Sequence, residues 1–306
     1  MAFAYGPGGL GLSGASIIAH HLTEFWPAVS SGTLYLISTP IGNLEDLSPR
    51  AQRLLAEVGC IAAEDTRHSA KLLQHFGIRN ELLALHDHNE TQATPGLIER
   101  LASGQSIALI SDAGTPLVSD PGYKLVQAAR EAGITVQAIP GPSAALAALC
   151  VSGLPSDRFV FEGFLPAKSQ ARRQRIRELA EETRSLIFFE SCHRIAACID
   201  DLLAELGTAR RLCIARELTK LHEESHAAPL GDLPGWLAED ANRRRGEFVL
   251  VLEGAVESTP AYDLNVVLGP LLEALPAGQA AKVAARITGL PRGEIYDRIQ
   301  ALKGAE

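Results

Sequence analysis

Two α/β domains followed by a small helical appendage are the fold this 306-residue sequence predicts. Three observations carry the expectation. Short apolar runs that stop at loops rich in Gly, Pro and Asp alternate with helical patterns from residue 33 to 153. The same alternation restarts after the Gly-Leu-Pro-Ser-Asp stretch at 153–157, and beyond residue 263 only helical periodicity remains.

Residues 1–32 are rich in Gly, Ala and Ser and hold neither period, so they read as a poorly ordered extension. The first domain, 33–153, opens with the apolar run 34–37 ending at Thr39, Pro40, Ile41, Gly42 and Asn43, a buried strand running into a tight loop, with a helix over about 49–58. Runs at 60–63, 107–110 and 136–139 follow the same pattern, interleaved with helices at about 68–76, 94–103, 121–132 and 143–152. Such alternation predicts a largely parallel sheet whose ligands gather at the carboxyl ends of the strands. The second domain, 154–255, contributes runs at 159–163, 186–189, 212–215 and 248–252. After a linker at 256–262 the tail, 263–306, reads as helices at 264–275, 278–288 and 292–303, the last two separated by Gly289, Leu290 and Pro291, a turn compatible with a helix-turn-helix.

Composition excludes several classes. No apolar run approaches the roughly 20 residues that cross a bilayer, and the first basic residue is Arg50, which leaves no secretory n-region and predicts a cytoplasmic protein without a membrane partner. The five cysteines show no CxxC pairing, against both a disulfide framework and a zinc site. A net charge of −8 opposes phosphate binding in general, but basic residues gather at Lys168, Arg172, Arg173, Arg175 and Arg177, at Arg243, Arg244 and Arg245, and at Lys282, Arg286, Arg292 and Arg298. Each cluster reads either as a solvated helix face or as a local patch for nucleic acid.

Asp112, Ala113, Gly114 and Thr115 follow a buried strand directly, so a carboxylate and a nearly bare backbone face the crevice above the sheet. This is either a nucleoside cofactor loop or a turn that needs Gly for a positive φ. Pro40, Ile41 and Gly42 are similarly placed, as are Pro140, Gly141 and Pro142 before Ser143, an N-cap on either reading. Dinucleotide, P-loop, zinc-protease and serine-hydrolase signatures are all missing. Two polar clusters, 64–68 and 86–90, stand after apolar segments, and their histidines fit acid–base work, metal ligation or a plain surface role.

The stretches 39–44 (TPIGNL), 63–68 (AEDTRH), 86–90 (HDHNE), 111–116 (SDAGTP) and 153–159 (GLPSDRF), with 162–168 (EGFLPAK), 215–220 (ARELTK) and 245–247 (RGE), resemble in order the bacterial ribosomal RNA small subunit methyltransferase I family. The resemblance runs from about residue 33 to the carboxyl terminus. It implies a homodimer of the tetrapyrrole-methylase fold that binds S-adenosylmethionine between its domains and methylates the ribose 2′-hydroxyl of a cytidine in small-subunit (16S) ribosomal RNA; the net charge of −8 makes the assembled 30S particle, rather than isolated RNA, the expected partner. Carried over, the cofactor residues are Pro40, Ile41, Gly42, Asp112, Ala113, Gly114, Thr115, Ser143 and Ala144, with Phe189 and the strand leading to Glu253 and Gly254 lining the cleft. The chemistry asks for alignment and a general base, for which Asp65, His88 and Glu90 are the candidates, with Arg67 and Lys220 holding phosphate or a developing oxyanion. No metal is required. A tetrapyrrole or corrin methyltransferase would share fold and cofactor, and a non-catalytic RNA-binding assembly factor could keep the fold as scaffold. The basic tail speaks against the first, and cofactor binding would exclude the second.

Overall fold

The structure, a computed structural model, describes residues 32–256 and 263–303. The extension expected over 1–32 lies outside the described residues except for Gly32, as does the linker at 256–262 except for Val256.

The first half is a five-stranded parallel sheet of order β3-β2-β4-β1-β5, built from β1 (Thr33–Ile37), β2 (Cys60–Ala63), β3 (Leu82–Ala84), β4 (Ile107–Ile110) and β5 (Thr135–Ile139). Alternate side chains of its central strands enter two cores. Tyr35, Ile37, Ile61 and Ala108 pack under α1 (Pro49–Glu57) and α2 (Thr66–His75). Leu34, Ala62, Ile107 and Leu109 pack under α3 (Glu90–Ala102) and α4 (Tyr123–Glu131). Burial on both faces explains why β1, β2 and β4 are continuous apolar runs in the sequence. The edge strand β3 is three residues long with Ala84 exposed, and no sequence period marks it. Helix α3 begins at Glu90 rather than near 94 and carries Pro95 inside it.

The second half, expected as a second α/β domain, is not parallel like the first. Strands β6 (Phe159–Phe164), β7 (Ser185–Ser191), β8 (Arg211–Arg216), β9 (Glu224–Pro229) and β10 (Glu247–Leu252) form a sheet of order β6-β7-β10-β8-β9, in which only β6 and β7 run parallel. A hairpin reverses the chain between β8 and β9, and β9, half-exposed at the edge, has no apolar run to betray it. One face of this sheet is covered by α6 (Ser169–Glu178), α7 (Ile195–Leu206) and α8 (Leu233–Glu239). The other face receives α5 (Ala144–Val151), which follows the last strand of the first sheet. Ala145, Ala148 and Leu149 pack there against Ile187, Cys213, Val249 and Val251, so one short helix sets how the two sheets meet.

The tail forms α9 (Leu264–Ala274), α10 (Ala277–Thr288) and α11 (Arg292–Lys303) around a small core of Leu268, Ala280, Ala281, Ala284, Ile295 and Ile299. Gly289 ends α10 at a φ of 73°, the left-handed turn expected from the sequence. Of the first basic cluster, Arg172 is buried against Asp201, Arg173 and Arg177 pair with Glu205, and Arg175 pairs with Glu162 and Glu178. Those guanidinium groups brace α6 through ion pairs, while Lys168 of the same cluster is exposed.

Ala148 is fully buried between α5 and the second sheet. Ala148→Leu overpacks that joint and should destabilise the protein by about 1–3 kcal/mol, seen as a lower urea midpoint.

Candidate active site

Three loops leave the carboxyl ends of β1, β4 and β5 and are tied together before they diverge. The Thr39 N–H donates to the Gly114 carbonyl at 2.8 Å, and the Gly114 N–H returns to the Thr39 carbonyl at 3.0 Å. The Thr39 hydroxyl donates to the Ser111 carbonyl at 3.1 Å. Ser38 Oγ and Thr115 Oγ1 lie 3.1 Å apart, and Thr115 Oγ1 donates to the Pro142 carbonyl at 3.0 Å, which brings in the third loop. Gly114 has a φ of 86°, a conformation a side chain disfavours. At Gly141 a Cβ would stand 2.9 Å from the Ser38 Cβ, so this glycine permits close approach of two loops.

Above the three loops a cavity of about 440 Å³ opens between the sheets. Ile41, Asp112, Ala113, Gly114, Thr115, Ser143, Ala144 and Phe189, all expected cofactor residues, line it. Pro40 and Gly42 line an adjoining cavity of about 480 Å³ instead. Gly42 allows the loop after β8 to cross: a Cβ there would collide with the Lys220 side chain and lie 2.9 Å from Thr219 Oγ1. The expectation for β10 holds at its start, where Glu247, Phe248 and Val249 line the cleft, whereas Gly254 beyond its other end packs on Thr183. Ser143 precedes α5 as expected but makes no side-chain capping bond.

The expected acid–base residues part company. Asp65 caps α2, accepting from the Arg67 N–H at 2.8 Å, and Arg67 also pairs with its carboxylate at 3.3 Å. The Arg67 guanidinium beside it holds the Asp65 carboxyl below its ordinary value. His88 is exposed, near His86. Glu90 is buried, and its Oε1 accepts from the backbone N–H groups of Gly122 at 3.1 Å and Lys124 at 2.8 Å, closing the start of α4. Asp65, Arg67, His88 and Glu90 all stand outside the residues lining the cleft. Lys220 Nζ binds Glu217 at 2.9 Å and Glu247 at 2.6 Å. Burial pulls its ammonium down, and the two carboxylates more than offset that, holding it above the ordinary lysine value.

The sequence reading missed Asp120 altogether and passed over Glu64. Both line the cleft. Burial, with Asp112 and Asp87 adding repulsion and a Ser111 hydrogen bond opposing, pushes the Asp120 carboxyl up to about 6. Glu64 is raised by burial and by Asp120, Asp112 and Asp87. Leu117 and Ser119, at φ 73° and 66°, hold the segment before Asp120 in a conformation rare for side-chain-bearing residues. Two left-handed residues just before an Asp are a feature visible only in the fold.

The chain is of the tetrapyrrole-methylase class: the family described as Tetrapyrrole (Corrin/Porphyrin) Methylases matches residues 33–234, from β1 into α8. The RsmI C-terminal HTH domain matches residues 260–303. Ribosomal RNA small subunit methyltransferase I of Xylella fastidiosa is 55% identical over 267 residues, 87% of this chain and 98% of that one. Its Escherichia coli O157:H7 counterpart is 53% identical over 270 residues, 87% and 94% of the two chains. The chain belongs to the ribosomal RNA small subunit methyltransferase I family. Among solved structures, diphthine synthase (TM-score 0.54, 17% identity, 72% of this chain and 90% of that one) and the methyltransferase CobJ (TM-score 0.54, 19% identity, 74% and 95%) share the fold.

Membership makes the protein a methyltransferase with S-adenosylmethionine as methyl donor. The cleft fits that group. Its volume is in the range of small-molecule sites, Gly114 brings bare backbone to its wall, and Glu64, Asp112, Asp120 and Glu247 line it without any Lys, Arg or His, which suits a ligand carrying sulfonium and ammonium charges.

A carboxyl raised in the folded state costs no stability below its unfolded value near 3.8 and costs most above about 6. Asp120→Asn should therefore raise the thermal midpoint at pH 7.5 and leave it unchanged at pH 4. An equal gain at both pH values would contradict the buried, ionised Asp120.

Proposed function

We propose that the protein methylates the 2′-hydroxyl of a cytidine ribose in small-subunit ribosomal RNA, as a homodimer acting on the assembled 30S particle in the cytoplasm. The acidic cleft over the knotted loops, in a chain of this family, is the observation that carries the reading. No helix among the described residues is long and apolar enough to cross a membrane. In this reading residues 33–153 and 154–255 are the two catalytic domains and 263–306 a substrate-gripping appendage.

S-adenosylmethionine supplies a methyl group already activated by its sulfonium, so the protein's share is to align the ribose oxygen and take up its proton. Asp112, Ala113, Gly114 and Thr115 hold the cofactor with Ile41, Ser143, Ala144 and Phe189, while Pro40 and Gly42 shape the loop behind them. Asp120 and Glu64 are the best-placed proton acceptors, since they face the cavity and sit above the ordinary carboxylate range, where general-base efficiency near neutral pH improves. Asp65 is the weaker base because Arg67 keeps its charge in place, His88 lies off the cavity, and Glu90 is engaged as a helix cap. For Arg67 and Lys220 to hold phosphate or the developing oxyanion, each must share or release its pair, with Asp65 and with Glu217 and Glu247 respectively.

Given S-adenosylmethionine and small subunits lacking the modification, the protein should place a methyl on one cytidine ribose, read by mass spectrometry of nuclease digests, with kcat falling as pH drops through about 6. Asp112→Ala and Gly114→Val should stay folded and lose cofactor affinity by about tenfold or more in calorimetry. Small-subunit RNA left unmethylated, or both variants binding as the parent does, contradicts the assignment.

In the tail, Lys282, Arg286, Arg292 and Arg298 are exposed. Arg298 also braces Asn265 at 3.0 Å, tying α11 to α9. Truncation before Asp263 should leave S-adenosylmethionine binding and the dimer intact and weaken subunit affinity, with a shallower salt dependence. Loss of the dimer with subunit affinity unchanged would make the tail packing material.

A further inference from the structure

The cavity beside the cofactor cleft differs from it in charge. The two share Ile41, Asp112, Ala113 and Glu247, so they are contiguous. The outer wall of the second is one face of α2, where His68, Lys71, Leu72 and His75 recur at helical spacing, and Lys220 closes it from across the cleft. The cofactor cleft has no Lys, Arg or His among its lining residues, whereas this cavity has four.

The α2 face is also unengaged. Among the described residues, the side chains of His68, Lys71 and His75 make no hydrogen bond or ion pair, and the His75 ring stands edge-on to that of Phe76. Their neighbours are satisfied: Arg67 is paired with Asp65, and Lys220 with Glu217 and Glu247. An ammonium and two imidazoles left free on one face, over a concave surface, can donate to an anion. Leu72 and Leu44, the latter 41% exposed, supply apolar surface in the same cavity. Basic hydrogen-bond donors with an apolar ledge suit a nucleotide, with phosphate accepting from the donors and base against the leucines.

The geometry points to this second cavity as the binding site for an RNA nucleotide flanking the one that is methylated. The inference rests on the reading of the substrate as RNA and adds where its strand runs: over α2, with the shared wall of Ile41 and Ala113 separating it from the methyl donor. Asp112 and Glu247 belong to both cavities, and only the second adds basic side chains, so a cationic cofactor is favoured in the first and a phosphate against the α2 face of the second.

The test compares the parent with Lys71→Ala, Lys71→Glu and the triple variant His68→Ala, Lys71→Ala, His75→Ala, using unmethylated small ribosomal subunits as the probe. The three substituted positions are on the exposed surface of α2, and circular dichroism with S-adenosylmethionine calorimetry reports that fold and cofactor site are intact. We expect unchanged cofactor affinity, a KM for subunits raised about tenfold in the triple variant and more in Lys71→Glu, and a log–log salt slope shallower by about one in Lys71→Ala. If the parent methylates subunits while KM and salt slope are the same in every variant, the second cavity is not an RNA site and the proposed function stands. If the variants lose the dimer instead, the α2 face is an interface between copies and the inference falls. A parent protein that methylates no small subunit overturns both.

Discussion

Two hydrogen bonds between Thr39 and Gly114 hold together the chains leaving β1 and β4, and the functional end of the molecule is arranged around them. Parallel neighbours end pointing the same way, so an antiparallel bridge beyond them requires the second chain to double back. Gly114 makes that reversal at positive φ. Asp112 and Ala113 are thereby pushed to the apex of the loop, between the two cavities, and Ser38, Thr115 and Pro142 pass the constraint on to the chain entering α5. Without the bridge the cavity floor would be three independent loops, each with its own conformational freedom to lose on binding.

Helix α5 converts that local order into a cleft. Its small apolar side chains let the second sheet approach closely. Contacts on either side of the cleft complete the closure: Ser119 Oγ comes 3.0 Å from where a Cβ on Gly163 would stand, and the loop bearing Thr219 and Lys220 lies against Gly42. The non-glycine residues at positive φ among the described residues, Leu117, Ser119, Glu217 and Thr219, all belong to these two bridging loops. Strain of this kind persists only where surrounding contacts over-determine the backbone, and here it sits on either side of the proposed reaction centre.

Charge is distributed to the same end. The chain carries eight more acidic than basic charges, and much of its arginine is spent inside the second half, as in the pairs of Arg172 with Asp201 and Arg175 with Glu162. The α2 face and the tail carry exposed basic groups that stand out locally against that acidic whole. A surface so charged offers a nucleic acid local basic patches rather than a general positive field.

Most strands of both sheets are legible in the sequence because their inward residues form unbroken apolar runs, and the loops that floor the cleft because Gly and Pro punctuate those runs where they end. The tail helices and their Gly289 turn are legible for the same local reason. What the sequence does not contain is strand direction in the second sheet, since an apolar run looks alike whichever way it is paired, nor β9, which is half-exposed. Nor could it separate Glu90 from Asp120. Both are carboxylates in polar segments, yet Glu90 turns inward to cap a helix 32 residues away while Asp120 turns to the cavity beside Asp112. Residue type and local period are properties of short stretches of chain and can be read there. The basicity of a carboxylate and the cavity it faces depend on groups brought together from distant positions, and only the tertiary structure decides them.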